Sequence, residues 1–104
     1  MKLESAFQSE FKDRVRERLP FCIIKRNSTD DIQGFPDLTI YCGDQYAIIE
    51  CKRYKDATHR PNQDYYIDLF KSEGVYASFV YPENIDTVLV ELEAYFKKDK
   101  KNRR

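Results

Sequence analysis

The chain has no tryptophan, one methionine, one histidine and only three glycines in 104 residues. So little glycine leaves no glycine-rich phosphate loop, and nucleotide-triphosphate chemistry finds no support. His59, the sole histidine, sits in the basic loop "KRYKDATHRPN" with no second ligand spaced around it, and it reads as solvated. The three cysteines, Cys22, Cys42 and Cys51, cannot all pair within the chain. Each lies in an apolar run without metal-ligand spacing, so they read as reduced, buried, small hydrophobes. No apolar run is long enough to span a membrane, and the N-terminal "MKLESAFQSEFK" is amphipathic and lacks the apolar core of a signal peptide. The expectation is a soluble, cytoplasmic protein.

Net charge is also missing, but its distribution is uneven. Residues 97–104, "KKDKKNRR", hold six basic residues against one acidic, which leaves twelve basic against seventeen acidic in the rest of the chain. A body of −5 therefore carries a tail of +5. The tail, with Lys97, Lys98, Lys100 and Lys101, reads either as solvated chain or as a phosphate-binding arm whose contribution would depend on salt. A chain of this length supports one compact domain. The expected division is a single domain over 1–96 and a basic, disordered tail over 97–104.

Hydrophobic spacing predicts the elements. Leu3, Phe7, Phe11, Val15 and Leu19 recur every four positions, marking one face of a helix that ends at Pro20. "FCIIKR" is a short strand. "DLTIYC" and "QYAIIECK" are rich in β-formers and are joined by the turn signal Gly43-Asp44. A helix starts near Pro61 and stops before Gly74, "VYASFVY" is a further strand, and Ile85, Val88, Leu89, Leu92 and Phe96 form a last helical stripe. The order α-β-β-β-α-β-α implies an α/β domain with a central mixed sheet flanked by helices.

Charges intrude on this core pattern. Asp37 opens one apolar run, while Glu50 and Lys52 close the next. Strand alternation puts Glu50 and Lys52 on one face, and the hairpin brings Asp37 beside them across a strand spacing of ~4.8 Å. Two carboxylates so placed suit a hard cation, Mg²⁺ above others. With a lysine beside them they form a known solution to phosphodiester hydrolysis. The ion neutralises the phosphate and acidifies water, and the lysine positions that water or stabilises charge on phosphorus. The plainer alternative is a salt bridge at a solvated strand end.

"PD" at Pro36-Asp37 followed after a hairpin by "ECK" at Glu50-Cys51-Lys52 resembles the signature of the PD-(D/E)XK nucleases, with their restriction-endonuclease-like core. Gly34, "RPNQ" at 60–63 and "EGVYASFVYPENIDTVLVEL" resemble more narrowly the virus-type replication-repair nucleases (VRR-NUC), relatives of Holliday-junction resolvases. The resemblance runs from about Glu4 to Leu92. It implies that Asp37, Glu50 and the main-chain carbonyl of Cys51 ligate Mg²⁺ or Mn²⁺, that Lys52 is the catalytic lysine, and that Gln63 orients the lysine or the water. It also implies an acid on the first helix. Glu4 lies in the middle of the apolar stripe and Glu10 on its flank, which favours Glu4.

Arg53, Lys55 and Arg60, in the loop after Lys52, are candidates for phosphate contacts, whereas Lys12, Arg14, Arg16 and Arg18 alternate with acids and read as a solvated helix face. The expected function is a metal-dependent DNA endonuclease, structure-selective for branched DNA such as Holliday junctions. By the same resemblance it acts inside a cell, or is encoded by a phage within a bacterial host. Alternatives are a nuclease of ordinary duplex or single strands and a non-catalytic nucleic-acid-binding module. Eight tyrosines and seven phenylalanines either thicken the core or serve the interface of a homodimer.

Overall fold

The computed structural model describes residues 3–28 and 30–101, with side chains through Lys97. Its elements are α1 (Glu4–Arg18), β1 (Ile23–Arg26), β2 (Leu38–Cys42), β3 (Gln45–Cys51), α2 (Gln63–Ser72), β4 (Tyr76–Val80) and α3 (Ile85–Lys101). This is the α-β-β-β-α-β-α order that periodicity predicts. The strands form one sheet in the order β1-β2-β3-β4, antiparallel except for β3 and β4, which are parallel. Parallel neighbours need a crossover, and α2 supplies it. Gly43 turns the β2–β3 hairpin at φ 65°, a left-handed conformation that glycine adopts without strain.

The sheet is covered on both faces. Phe7, Phe11 and Val15 of α1 and Val88, Leu89, Leu92 and Phe96 of α3 pack on one face against Ile40, Ala47, Ile49 and Cys51. On the other face, Ile67 of α2 packs against Ile48 and Ala77, with Phe70 and Tyr46 at the margin. The alternation along β3 therefore sorts residues to opposite layers, as the period of two requires. Arg14 and Arg18 lie at the surface but are not merely solvated: they pair with Asp86 and Glu93 and tie α1 to α3. The three cysteines form no disulfide; Cys42 and Cys51 are buried, but Cys22 is only half-buried. No helix among the described residues is long and apolar enough to cross a membrane. The +5 tail falls mostly on residues 102–104 and on side chains outside those described.

Candidate active site

The β2–β3 register pairs Leu38 with Ile49, so Asp37, one residue before β2, stands opposite Glu50, one residue further along β3. The two are laced through main chain. The N–H of Asp37 donates to Glu50 Oε1 at 3.0 Å, and the N–H of Cys51 donates to Asp37 Oδ2 at 2.9 Å. Glu4, in the first turn of α1, completes a group of three carboxylates whose oxygens lie within 4.8 Å of one another. Glu10 is not in that group; it lines a separate surface hollow with Arg14 and Tyr54.

Burial makes this cluster costly in isolation. Glu50 is 2% exposed. Burial and then the negative charge of Asp37 push its carboxyl from 4.5 up to about 8. Asp37 is also raised, chiefly by burial, against the lowering effect of the Cys51 N–H. A buried and a half-buried acid that resist ionising beside each other, with a third, half-buried one converging on them, form an oxygen donor set of the kind a hard divalent cation neutralises. The donor chemistry thus fits a divalent metal ion, for which Glu4, Asp37 and Glu50 could supply the carboxylate oxygens. The same surroundings push the Cys51 thiol up, so that side chain stays protonated and only its main chain is available to the site.

Lys52 is 4% exposed. Its Nζ donates to Gln63 Oε1 at 2.6 Å and to the Thr58 carbonyl at 3.1 Å, and lies 3.9 Å from Glu50 Oε2. Gln63 is the hub: Oε1 also accepts the Arg60 N–H at 2.9 Å, and Nε2 donates to Glu50 Oε2 at 2.8 Å. An amide on the buried stripe of α2 is thereby satisfied at both ends. A close approach sets its position. A Cβ on Gly34, at φ 80°, would come within 2.3 Å of the Pro61 carbonyl oxygen and 2.8 Å of the Asn62 Cβ. Only glycine lets the loop before β2 close on the start of α2, where Asn62 itself takes φ 72°.

Of the expected phosphate-contact residues, Arg53 and Arg60 line the open groove that contains Glu4 and Asp37. Lys55 is exposed in the loop but does not line that groove. Lys97 is not brought to the site. Tyr95, two residues before it, donates its hydroxyl to the carbonyl of Tyr46 at the far end of β3, about 17 Å along the strand from Cys51. Lys98, Lys100 and Lys101 lie outside the described side chains. His59 is not simply solvated: its ring stacks on Phe79 at 4.2 Å, and Nδ1 lies 2.9 Å from Asp64 Oδ1.

No protein-family model and no curated protein matches the sequence. Among solved structures, one described as a VRR_NUC domain protein superposes with a TM-score of 0.69 at 20% identity, covering 93% of this chain and 91% of that chain. A second, described as a VRR_NUC domain, gives 0.67 at 22% identity over 83% of this chain and 92% of its own. The chain has the VRR_NUC fold. Within that fold, two supporting residues, Asn27 and Thr58, carry no signal in the sequence. Asn27 donates through Nδ2 to the Pro36 carbonyl at 2.9 Å and to Thr39 Oγ1 at 3.0 Å, and its N–H donates to the Asp37 carbonyl at 2.7 Å. These bonds fix the turn into Asp37, and Thr58 contributes only a carbonyl to Lys52. Lys12, which the sequence places on a solvated helix face, and Arg26 also line the groove beside Glu4.

Proposed function

We propose that this chain is a metal-dependent nuclease that hydrolyses DNA phosphodiester bonds. The observation that carries the reading is the convergence of Glu4, Asp37 and Glu50 on one point, with the ammonium of Lys52 held beside them by Gln63. A bound Mg²⁺ or Mn²⁺ would supply charge neutralisation at the phosphate and acidify water. Glu4, Asp37, Glu50 and the main-chain carbonyl of Cys51 would hold the ion. Gln63 and the Thr58 carbonyl commit two of the three Lys52 protons, which aims the third for a phosphate oxygen or the attacking water. Burial keeps bulk water from competing for that proton. As the water oxygen bonds to phosphorus, the P–O bond to the leaving nucleotide breaks, and Lys52 stabilises the charge on the non-bridging oxygens. A binding module without turnover would gain nothing from three acids where phosphate must lie.

The finer reading is selective action on branched DNA by a two-fold homodimer. One site per chain cuts one strand, and paired cuts across a junction call for two sites related by a dyad. Phe21 (54% exposed), Ile23 (68%) and Tyr41 (42%) support this assembly. Ile23 and Tyr41 are cross-strand partners on the edge pair β1–β2, an apolar surface suited to a second copy of the chain. The test is cleavage of duplex, flap and four-way-junction DNA in EDTA, Mg²⁺ and Mn²⁺, with light scattering alongside. Metal-dependent cuts that vanish in Glu50→Gln support the nuclease. Absence of cleavage on every substrate removes it, and a monomeric mass that only nicks removes the dimer.

A further inference from the structure

Two surface grooves meet at the candidate site, since Asp37 and Arg60 line both. Their charge is opposite. The first, of about 660 Å³, carries Lys12 from α1, Arg26 from β1, and Arg53 and Arg60 from the segment between β3 and α2. Its floor is the α1 stripe Ser5, Gln8, Ser9 and Lys12, whose i, i+3, i+4, i+7 spacing presents hydroxyls, an amide and an ammonium along one line. The second, of about 460 Å³, is walled by the exposed Asp30 and Asp31.

The cations of the first groove are not used up by the protein. Arg14, Arg16 and Arg18 form ion pairs with Asp86, Asp13 and Glu93. Among the described residues, Lys12, Arg26 and Arg60 enter no such pair, and the Arg53 guanidinium lies 5.9 Å from the centre of the Tyr54 ring. A body with five more acids than bases nonetheless places four cations around one groove, on three separate chain segments. Hydroxyl, amide and cationic groups in a line are the donors that sugar–phosphate backbone recruits, and they carry no preference for base.

We propose that nucleic acid is gripped on one flank of the cleaved bond only: Lys12 and Arg26, with Arg53 and Arg60, hold its phosphates along α1, while Asp30 and Asp31 keep phosphates off the other flank. The proposal rests on the nuclease reading and deepens it by naming the residues of this chain that would grip the strand and those that would turn it away. A continuous strand would have to run phosphates past two aspartates. A strand that ends or turns away at the site does not, so the arrangement favours DNA with an end or a branch point at the cut.

The test is fluorescence anisotropy with a labelled duplex and a labelled four-way junction in EDTA, across a salt series. For Lys12→Ala/Arg26→Ala, the slope of log affinity against log salt is expected to fall by about two, with affinity lowered tenfold or more at low salt. Lys12→Arg/Arg26→Lys should restore the slope, which a merely structural role would not predict. In Mg²⁺, KM should rise by more than kcat falls. Asp30→Asn/Asp31→Asn should raise cleavage of continuous duplex relative to the junction. An unchanged slope in a folded Lys12→Ala/Arg26→Ala variant overturns the grip, and an unchanged duplex-to-junction ratio in Asp30→Asn/Asp31→Asn overturns the exclusion. Binding in EDTA does not depend on turnover, so slope loss without any wild-type cleavage would sink the nuclease reading and leave the groove standing.

Discussion

Lys52 and Glu50, two positions apart on one strand face, are joined less by their own 3.9 Å ion pair than through Gln63, which accepts from the lysine at 2.6 Å and donates to the glutamate at 2.8 Å. The amide thus sets the ammonium's direction and the carboxylate's rotamer together. Gln63→Ala is expected to lower kcat about 10–100-fold, the usual cost of losing a group that orients a ligand, with a smaller change in KM. Gln63→Glu should do worse, since Nε2 becomes an oxygen facing Glu50. Steady-state kinetics on both variants, with circular dichroism as the fold control, checks this.

Removing one carboxylate should abolish turnover while sparing binding. Asp37→Asn or Glu50→Gln is expected to reduce the cleavage rate on the order of a thousandfold, because several kcal/mol of charge stabilisation leaves with the ion. DNA affinity in EDTA should hold or rise, since a negative charge near phosphate has gone. Cleavage within tenfold of the wild type by either folded variant would exclude this metal site.

Stability should depend on pH through Glu50. Its folded value of about 8 lies above its ordinary 4.5, so the folded state holds the proton more tightly than the unfolded state does. The resulting contribution is fully present below 4.5 and is lost as pH rises through about 8. In EDTA the melting temperature should therefore fall across that window, and Glu50→Gln should flatten the decline. Protons and the ion compete for the same oxygens, so the stabilisation added by Mg²⁺ should grow over the same pH range. Thermal melts at pH ~4, ~6 and ~9, below, between and above the two values, decide this.

Gly34→Ala tests whether loop closure builds the site. The methyl would overlap the Pro61 carbonyl and Asn62 at a left-handed φ, so a loss of at least ~1 kcal/mol in stability is expected. Activity should fall further than stability explains, because residues 61–62 lead directly into Gln63. A variant with wild-type rate and melting temperature would show that the loop yields without cost.

Deletion of residues 97–104 should act only at a distance. Lys97 sits at the far end of the sheet from Glu50, so any loss of affinity should appear with long DNA and vanish with short duplexes that cover only the site. An equal loss on both lengths would place the tail at the cleaved bond.

Much of the fold and of the acidic site is legible in the sequence, because local patterns carry it. The four-residue recurrence from Phe7 to Val15 and the turn at Gly43 set α1 and the β2–β3 hairpin, and a hairpin with known register already places Asp37 opposite Glu50. The angular position of Glu4 within an apolar stripe likewise points it toward the sheet. What the sequence does not convey depends on contacts between segments remote along the chain. Asn27 braces the Pro36 carbonyl nine residues on, Thr58 lends only main chain, and Gly34 matters because the start of α2 presses on it. Lys12 and Arg14 look alike in a helix of alternating charge. Packing of α3 commits Arg14 to Asp86, while Lys12 is left facing the groove. Periodicity determined which faces are buried; only the docking of helices on the sheet decided which exposed charges are neutralised by the protein and which are left facing the groove.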